Sequence, residues 1–205
     1  MELKNLNCSE FCNALDSKEP VPGGGGASAL AGALGAALAG MVCSLTVGKK
    51  KYAAYESEIY SIWEKASSIK TRLLEAIDRD AGGFEPLAKA YGIPKDDPSR
   101  DEIMENALRV ACEAPIDMMR LAAETIDLLE ILADKGSILA ISDVGVGASM
   151  AKAALTGASL NIYINTKAMK DREYAAGIDA ETDSLIEKYG PLADEIFNKV
   201  LLKLR

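Results

Sequence analysis

Histidine is absent from all 205 residues. That single absence removes every Ser-His-Asp or Cys-His nucleophilic site. It also leaves a catalytic zinc centre without its usual imidazole ligand. Proton transfer by this chain must use Asp, Glu, Lys, Tyr, Cys or water. Aromatic residues make up only 5%, so Ala, Leu and Ile carry the apolar content, a bias toward helix over sheet. The four cysteines, Cys8, Cys12, Cys43 and Cys112, form no C-x-x-C pair. A disulfide framework is not indicated, and a reducing cytoplasm is the expected compartment. The first residues, MELKNLNCSEF, hold no secretory apolar core. Basic runs are equally scarce. Lys49-Lys50-Lys51 is the one dense cluster in a chain of net charge −8, too short to hold nucleic acid against the overall repulsion.

What is present is helical periodicity. Residues 9–16 suit a short helix capped by Ser9, after which Pro20 and Pro22 force an extended approach. From about Ala27 the pattern turns helical. Leu30, Leu34, Leu38, Met41 and Leu45 form one stripe, while Gly32, Ala36 and Gly40 lie on a small-residue face that admits another backbone. Tyr52 to Asp80 reads as a long helix on Tyr55, Ile59, Ile62, Ala66, Ile69, Leu73 and Ile77, running on through Phe84 and Leu87 despite Gly82-Gly83. A loop at 91–99 follows. Ser99 and Glu102 have capping-box spacing for a helix to about Lys135, kinked at Pro115 and stopped by Gly136. Ser142-Asp143 opens a helix rich in Ala and Gly that ends near Asn165. The last helical region starts near Lys170 and is interrupted at Gly190-Pro191. No series of strands is visible. The expected fold is all-α, a single domain over residues 1–205 with about six long helices.

The uncharged run from Pro20 to Gly48, opening with four consecutive glycines and closing on three lysines, admits several readings. A phosphate-binding Walker loop fails, because Cys43 stands where its first glycine belongs and Lys50 where its hydroxyl belongs. Gly24-x-Gly26-x-x-Ala29 fits a loose dinucleotide fingerprint, but that string has meaning only after a strand. The run is long enough to span a bilayer. Its Gly, Ala and Ser content points instead to a fully buried helix of a soluble bundle. The glycines themselves serve equally well as a close-packing turn or as exposed amides at a helix N-terminus that bind polar atoms.

An ordered set of motifs carries a resemblance. Pro22-Gly23-Gly24-Gly25-Gly26 is followed by the Ala/Gly-rich helix and by Met41-Val42 to Leu45-Thr46-x-Gly48-Lys49-Lys50-Lys51-Tyr52. Asp80-x-x-x-Phe84, Gly92-Ile93-Pro94-Lys95, Ala114-Pro115, Ser142-Asp143-x-Gly145-Val146 and Asn161-Ile162-Tyr163-Ile164-Asn165 come next, in that order. Together they resemble the cyclodeaminase/cyclohydrolase family of folate one-carbon enzymes, over essentially the whole chain. The resemblance implies an all-helical homodimer with its site in a groove near the subunit interface. It implies a small-molecule folate substrate, no metal or redox cofactor, and no nucleic acid or membrane partner. The four-glycine form, GKKKY and NIYIN look most like a stand-alone methenyltetrahydrofolate cyclohydrolase, with formiminotetrahydrofolate cyclodeaminase as the alternative. A non-catalytic folate-binding helical dimer is the reading from a different class. The chain departs from the family pattern at Gly83, at Gly136-Ser137 and at Leu139.

The chemistry so implied needs a carboxylate to balance a cationic carbon and move a proton, donors for a developing oxygen, and cations for the folate tail. By its neighbours alone Asp80 reads as a solvated helix residue beside Asp78 and Arg79. The resemblance makes it the catalytic carboxylate. Asp143 is the second candidate, with helix capping its competing role. Lys49 is the candidate cation or proton donor. Asn161 and Asn165, four apart on one helix face, together with Ser28 and the amides of Gly23, Gly24, Gly25 and Gly26, are the expected substrate contacts. Tyr52, Phe84 and Pro115 are assigned to packing.

Overall fold

The computed structural model describes residues 2–205. Six α-helices follow in order: α1 (Cys8–Leu15), α2 (Gly24–Ser44), α3 (Glu56–Tyr91), α4 (Arg100–Lys135), α5 (Ile141–Ala168) and α6 (Arg172–Leu204), with short 3-10 turns at Leu3–Asn5, Lys50–Tyr55 and Ile138–Ala140. No strand occurs among the described residues. The all-α expectation holds, and the Asn161–Asn165 segment, open to strand by propensity, lies within α5.

Local chemistry moves several boundaries. The first helix is capped by Asn7 rather than Ser9. The Asn7 side chain accepts from the Glu10 N–H while the Glu10 carboxylate accepts from the Asn7 N–H, a reciprocal box that Ser9 cannot form from inside the helix. Ser99 does not cap α4 with its side chain, because its Oγ donates to Asp97 instead. The helix expected from about Ala27 begins three residues earlier, and Gly24, Gly25 and Gly26 are the first turn of α2 itself. α6 continues through Gly190-Pro191 without a break. A proline forfeits one backbone hydrogen bond, and burial of Tyr189, Gly190, Ala193, Ile196 and Val200 along that stretch holds the helix on both sides.

α2 and α5 lie at the centre, and each packs extensively on its neighbours. They run antiparallel: Gly35 meets the backbone of Gly147 and Ala151, Gly32 meets Ala154, and Gly24 faces Asn161. Both are long and apolar enough to cross a bilayer by length and composition, yet their small residues are turned onto each other and onto α3 and α4. Ala29, Ala33, Ala36, Ala39 and Val42 of α2 are buried, as are Val144, Ala148, Ala151, Leu155, Ala158 and Ile162 of α5. α3 contributes Ile59, Ile62, Ala66, Ile69, Leu73 and Ile77, the stripe expected from its period, without the exposed Tyr55. The larger residues of α2 behave differently from expectation. Leu34 is 50% exposed, and Met41 and Leu45 are also exposed, so α2 is not buried all round. Close packing selects its small face, which lets backbones approach; Leu34, Met41 and Leu45 are left outside, while Leu30 packs on the edge of the core.

A second, smaller cluster of Leu87, Ala90, Leu108, Ala111, Cys112, Met169 and Ala175 ties the ends of α3, α4 and α5 to the start of α6. Two glycine substitutions test the packing account. A Cβ at Gly35 would stand 3.0 Å from the Gly147 carbonyl oxygen, so Gly35→Val is expected to destabilise by about 1–3 kcal/mol. At Gly177 nothing lies within 4 Å of an added Cβ, and Gly177→Ala should stabilise by about 0.5–1 kcal/mol. Urea unfolding of both variants reads the opposite signs.

Candidate active site

The N-terminal turn of α2 ends against α3. The four first N–H groups of a helix have no intrahelical partner, and here the glycine turn that carries them is set beside Asp80. Gly25 stands so close to the Asp80 carboxyl group that a Cβ there would overlap both carboxylate oxygens. Only hydrogen fits between backbone and carboxylate. Gly26 faces the interior against Pro22, Ile77 and Phe11, and its N–H is directed to Asp80. The approach segment is bent by Pro20 and Pro22, with the Val21–Pro22 peptide cis.

These elements enclose a cavity of about 220 Å³ lined by Pro20, Val21, Gly23, Gly24, Gly25, Asp80, Phe84, Ala111, Asn161, Ile164 and Asn165. Asp80 is the one ionisable side chain among them. Burial pushes its carboxyl group above the usual carboxylate range, and the Gly26 N–H pulls more weakly the other way. Asn161 Nδ2 donates to the Gly157 carbonyl at 3.0 Å, which anchors the amide on its own helix. Asn165 is buried and its Nδ2 lies 3.4 Å from the Ala111 carbonyl. It also approaches Cys112, whose thiol burial pushes up to about 11, well out of range for a nucleophile at neutral pH. Phe84 packs on the smaller core cluster and forms an apolar wall.

Of the residues expected from sequence, Gly23, Gly24, Gly25, Asp80, Asn161 and Asn165 thus converge on one cavity, with the Gly26 amide behind them. Ser28 does not line it. Its Oγ donates to the Gly24 carbonyl at 2.7 Å and rests on Gly157. It supports the turn from beneath, where an i−4 bond to the helix backbone satisfies it. Phe84, assigned to packing, both packs and lines the cavity. Pro20, Val21, Ala111 and Ile164 were missed. Ile164 shares the Asn161 face and Val21 sits in the Pro-Val-Pro bend, whereas Ala111 carries no sequence signal at all.

Lys49 and Asp143 lie elsewhere. Lys49 follows the C-terminal end of α2, and the length of that helix separates it from Asp80 by about 30 Å at 1.5 Å per residue. Its Nζ donates to Ser137 Oγ at 3.2 Å. Ser137 N–H donates to Thr46 Oγ1 at 2.8 Å, and Ile138 N–H donates to the Tyr52 oxygen at 3.0 Å. That last bond, first among several influences, holds the Tyr52 phenol below its ordinary pKa. Asp143 sits in the first turn of α5, at the same end of the α2–α5 pair as Lys49. No group of His, Cys, Asp and Glu among the described residues is arranged to hold a metal ion.

A half-buried lone carboxyl group thus lies beside the glycine turn and two carboxamides, inside an all-helical bundle. The comparisons with known proteins give the chain's family. A family model described as formiminotransferase-cyclodeaminase matches residues 7–184, and the chain belongs to that family. It is 39% identical over 204 residues to the methenyltetrahydrofolate cyclohydrolase of Methylorubrum extorquens, covering 98% of both chains. It is 32% identical to the formimidoyltransferase-cyclodeaminase of Dictyostelium discoideum, of which it spans 36%. The crystal structure of a formiminotetrahydrofolate cyclodeaminase from Thermotoga maritima superposes with a TM-score of 0.85 at 28% identity, covering 98% of this chain and all of that one.

The raised pKa of Asp80 has a measurable consequence for stability. A carboxyl group whose folded-state pKa exceeds its unfolded value contributes fully below the unfolded value and loses that contribution as pH rises through the folded one. Asp80→Asn cannot ionise. Its melting temperature relative to the parent is therefore expected to climb between pH 4 and pH 7. A difference that stays constant across that range would contradict the burial assigned to Asp80.

Proposed function

We propose that this chain is a methenyltetrahydrofolate cyclohydrolase, converting 5,10-methenyltetrahydrofolate and water to 10-formyltetrahydrofolate. The observation that carries the reading is Asp80, the single ionisable group of a cavity walled by glycine amides and asparagines. The substrate presents a cationic amidinium carbon between two folate nitrogens. A carboxylate beside it offsets that charge and takes the proton of the attacking water as the C–O bond forms. The tetrahedral intermediate then loses the bond to the pterin-ring nitrogen, which leaves protonated, and the glycine amides and Asn161 or Asn165 serve the developing oxygen. No step needs a metal or redox cofactor, in keeping with a chain that lacks histidine.

Support for hydrolysis over ammonia release comes from the higher identity to a cyclohydrolase of matching length than to the cyclodeaminases. Cyclodeaminase activity on the same cavity is the second reading, since it needs the same carboxylate and cation pocket. The enzyme acts in the cytoplasm on a free folate, with no nucleic acid or membrane partner. Its four cysteines are unpaired, as a reducing compartment requires.

The chain works as a homodimer through the outer face of α2 and α5. Leu34, Met41 and Leu45 of the first and Val146, Leu160 and Ile164 of the second are exposed, and exposed apolar surface of this kind is what association covers. Leu34→Lys should convert the dimer to a monomer in analytical ultracentrifugation.

Two assays on the purified protein separate the activities. Loss of the methenyl chromophore without ammonia is the expected result, and ammonia release from formiminotetrahydrofolate would instead make it a cyclodeaminase. Asp80→Asn is expected to keep the fold and lower turnover by about 10²–10⁴. Gly25→Ala, which displaces the same carboxyl group, should do likewise. A wild-type rate in Asp80→Asn would remove this residue from the mechanism.

A further inference from the structure

The Ala114-Pro115 motif lines no part of the Asp80 cavity, and a proline inside a helix is costly. It has no N–H to give, so the carbonyl four residues earlier loses its helical donor. Three helices carry such a proline: Pro86 in α3, Pro115 in α4 and Pro191 in α6. The carbonyls they release belong to Gly82, Ala111 and Glu187. Gly82 and Glu187 are exposed residues, where water can serve the carbonyl. Ala111 is buried, and so is Pro115 itself. A buried carbonyl left without a donor is destabilising.

One side chain answers it. Asn165 of α5 donates from Nδ2 to the Ala111 carbonyl at 3.4 Å. α3 offers no donor at this level. It presents Gly83, where an added Cβ would stand 3.4 Å from the Val110 carbonyl and 3.9 Å from the Ala111 Cα. The two asparagines of α5 are therefore held in different ways. Asn161 bonds back to the Gly157 carbonyl of its own helix, the usual local option for such a side chain. Asn165 reaches across to α4 instead. It is itself buried, and both it and Ala111 line the Asp80 cavity. A carbonyl only accepts, so the carboxamide must turn Nδ2 to it and not Oδ1. That choice fixes which end of the amide faces α4, and a carboxamide without such a partner is free to turn over.

We infer that Pro115 is a positioning residue for the reaction: by releasing the Ala111 carbonyl it sets the orientation of Asn165 in the Asp80 cavity. The inference rests on the cyclohydrolase reading for the role of Asn165 and adds the residue that orients it. Pro115 touches no substrate and acts only through Asn165.

Pro115→Ala supplies the missing N–H, and a double-mutant cycle with Asn165→Ala reads whether the two residues act as one unit. Asn165→Ala leaves the Ala111 carbonyl buried without a donor and should melt a few degrees below the parent. Adding Pro115→Ala should return that stability, because the amide at position 115 takes over the carbonyl, while the activity stays lost. Pro115→Ala alone should keep the fold and lower kcat/KM by about 3–10-fold, as for one hydrogen bond. In the Asn165→Ala background it should lower kcat/KM no further. Pro191→Ala, which serves only the exposed Glu187 carbonyl, is the control and should keep the parent kcat/KM. The side-chain amide signals of Asn165, assigned by their loss in Asn165→Ala, should move in nitrogen-15 NMR spectra of Pro115→Ala and stay in place in Pro191→Ala.

An equal fall in Tm from Pro115→Ala in both backgrounds would make Pro115 a packing residue and overturn the inference. So would a parental kcat/KM in Pro115→Ala, activity losses that multiply in the double variant, or Asn165 amide signals that do not move. A parent chain that leaves the methenyl chromophore untouched would sink the cyclohydrolase reading instead. The Tm cycle and the amide signals would still decide whether Pro115 orients Asn165.

Discussion

The antiparallel contact between α2 and α5 is the constraint from which the rest of the structure follows. Gly35 against the Gly147 carbonyl, and Gly32 against Ala154, bring two helices to a distance at which an added side chain would crowd its neighbours. That closeness fixes the register of the pair. With the register set, the first turn of α2 must lie beside Asn161, and the start of α5 must lie beside the far end of α2. Dispersion contacts along such a seam are individually small and collectively decisive. They also explain why the bulky residues of α2 face outward, leaving an apolar surface that would be expensive to keep in water.

The glycine turn and Asp80 form the second dependency. A helix N-terminus offers free amides and a positive dipole end, both of which favour an anion. Burial opposes ionisation, and here burial is the larger influence. The result is a carboxyl group poised to exchange a proton rather than one locked as an anion by a salt bridge. Gly25 makes that possible by lacking a side chain.

Much of the fold was legible in the residues. The periodicity of α3 named its buried face from Ile59 to Ile77, and the helix count followed from the loop and cap signals. The errors share one physical origin. Local propensity assigned Ser99 to a cap, Gly190-Pro191 to an interruption, and the leucines of α2 to a buried stripe. In each case a competing tertiary or side-chain interaction won: Asp97 for the Ser99 hydroxyl, core contacts on both sides of Pro191, and close backbone approach for the small face of α2. Among site residues, Asp80, Asn161, Asn165 and the glycines could be named by motif. Ala111 could not, because a methyl group carries no chemical signal, and Ser28 was placed in the cavity when its hydroxyl is spent on the Gly24 carbonyl.

By itself the sequence determined the class of fold, the absence of imidazole chemistry and the residue types available for catalysis, because composition and period act through short-range physics. Only the tertiary structure decided which of those residues meet. Asp80 and the glycines, 55 positions apart in the chain, are joined because α2 and α3 pack along their length. Lys49 and Asp80 are held apart because a helix is rigid. No pattern in one dimension encodes that separation, since it depends on the direction of each helix relative to its neighbours.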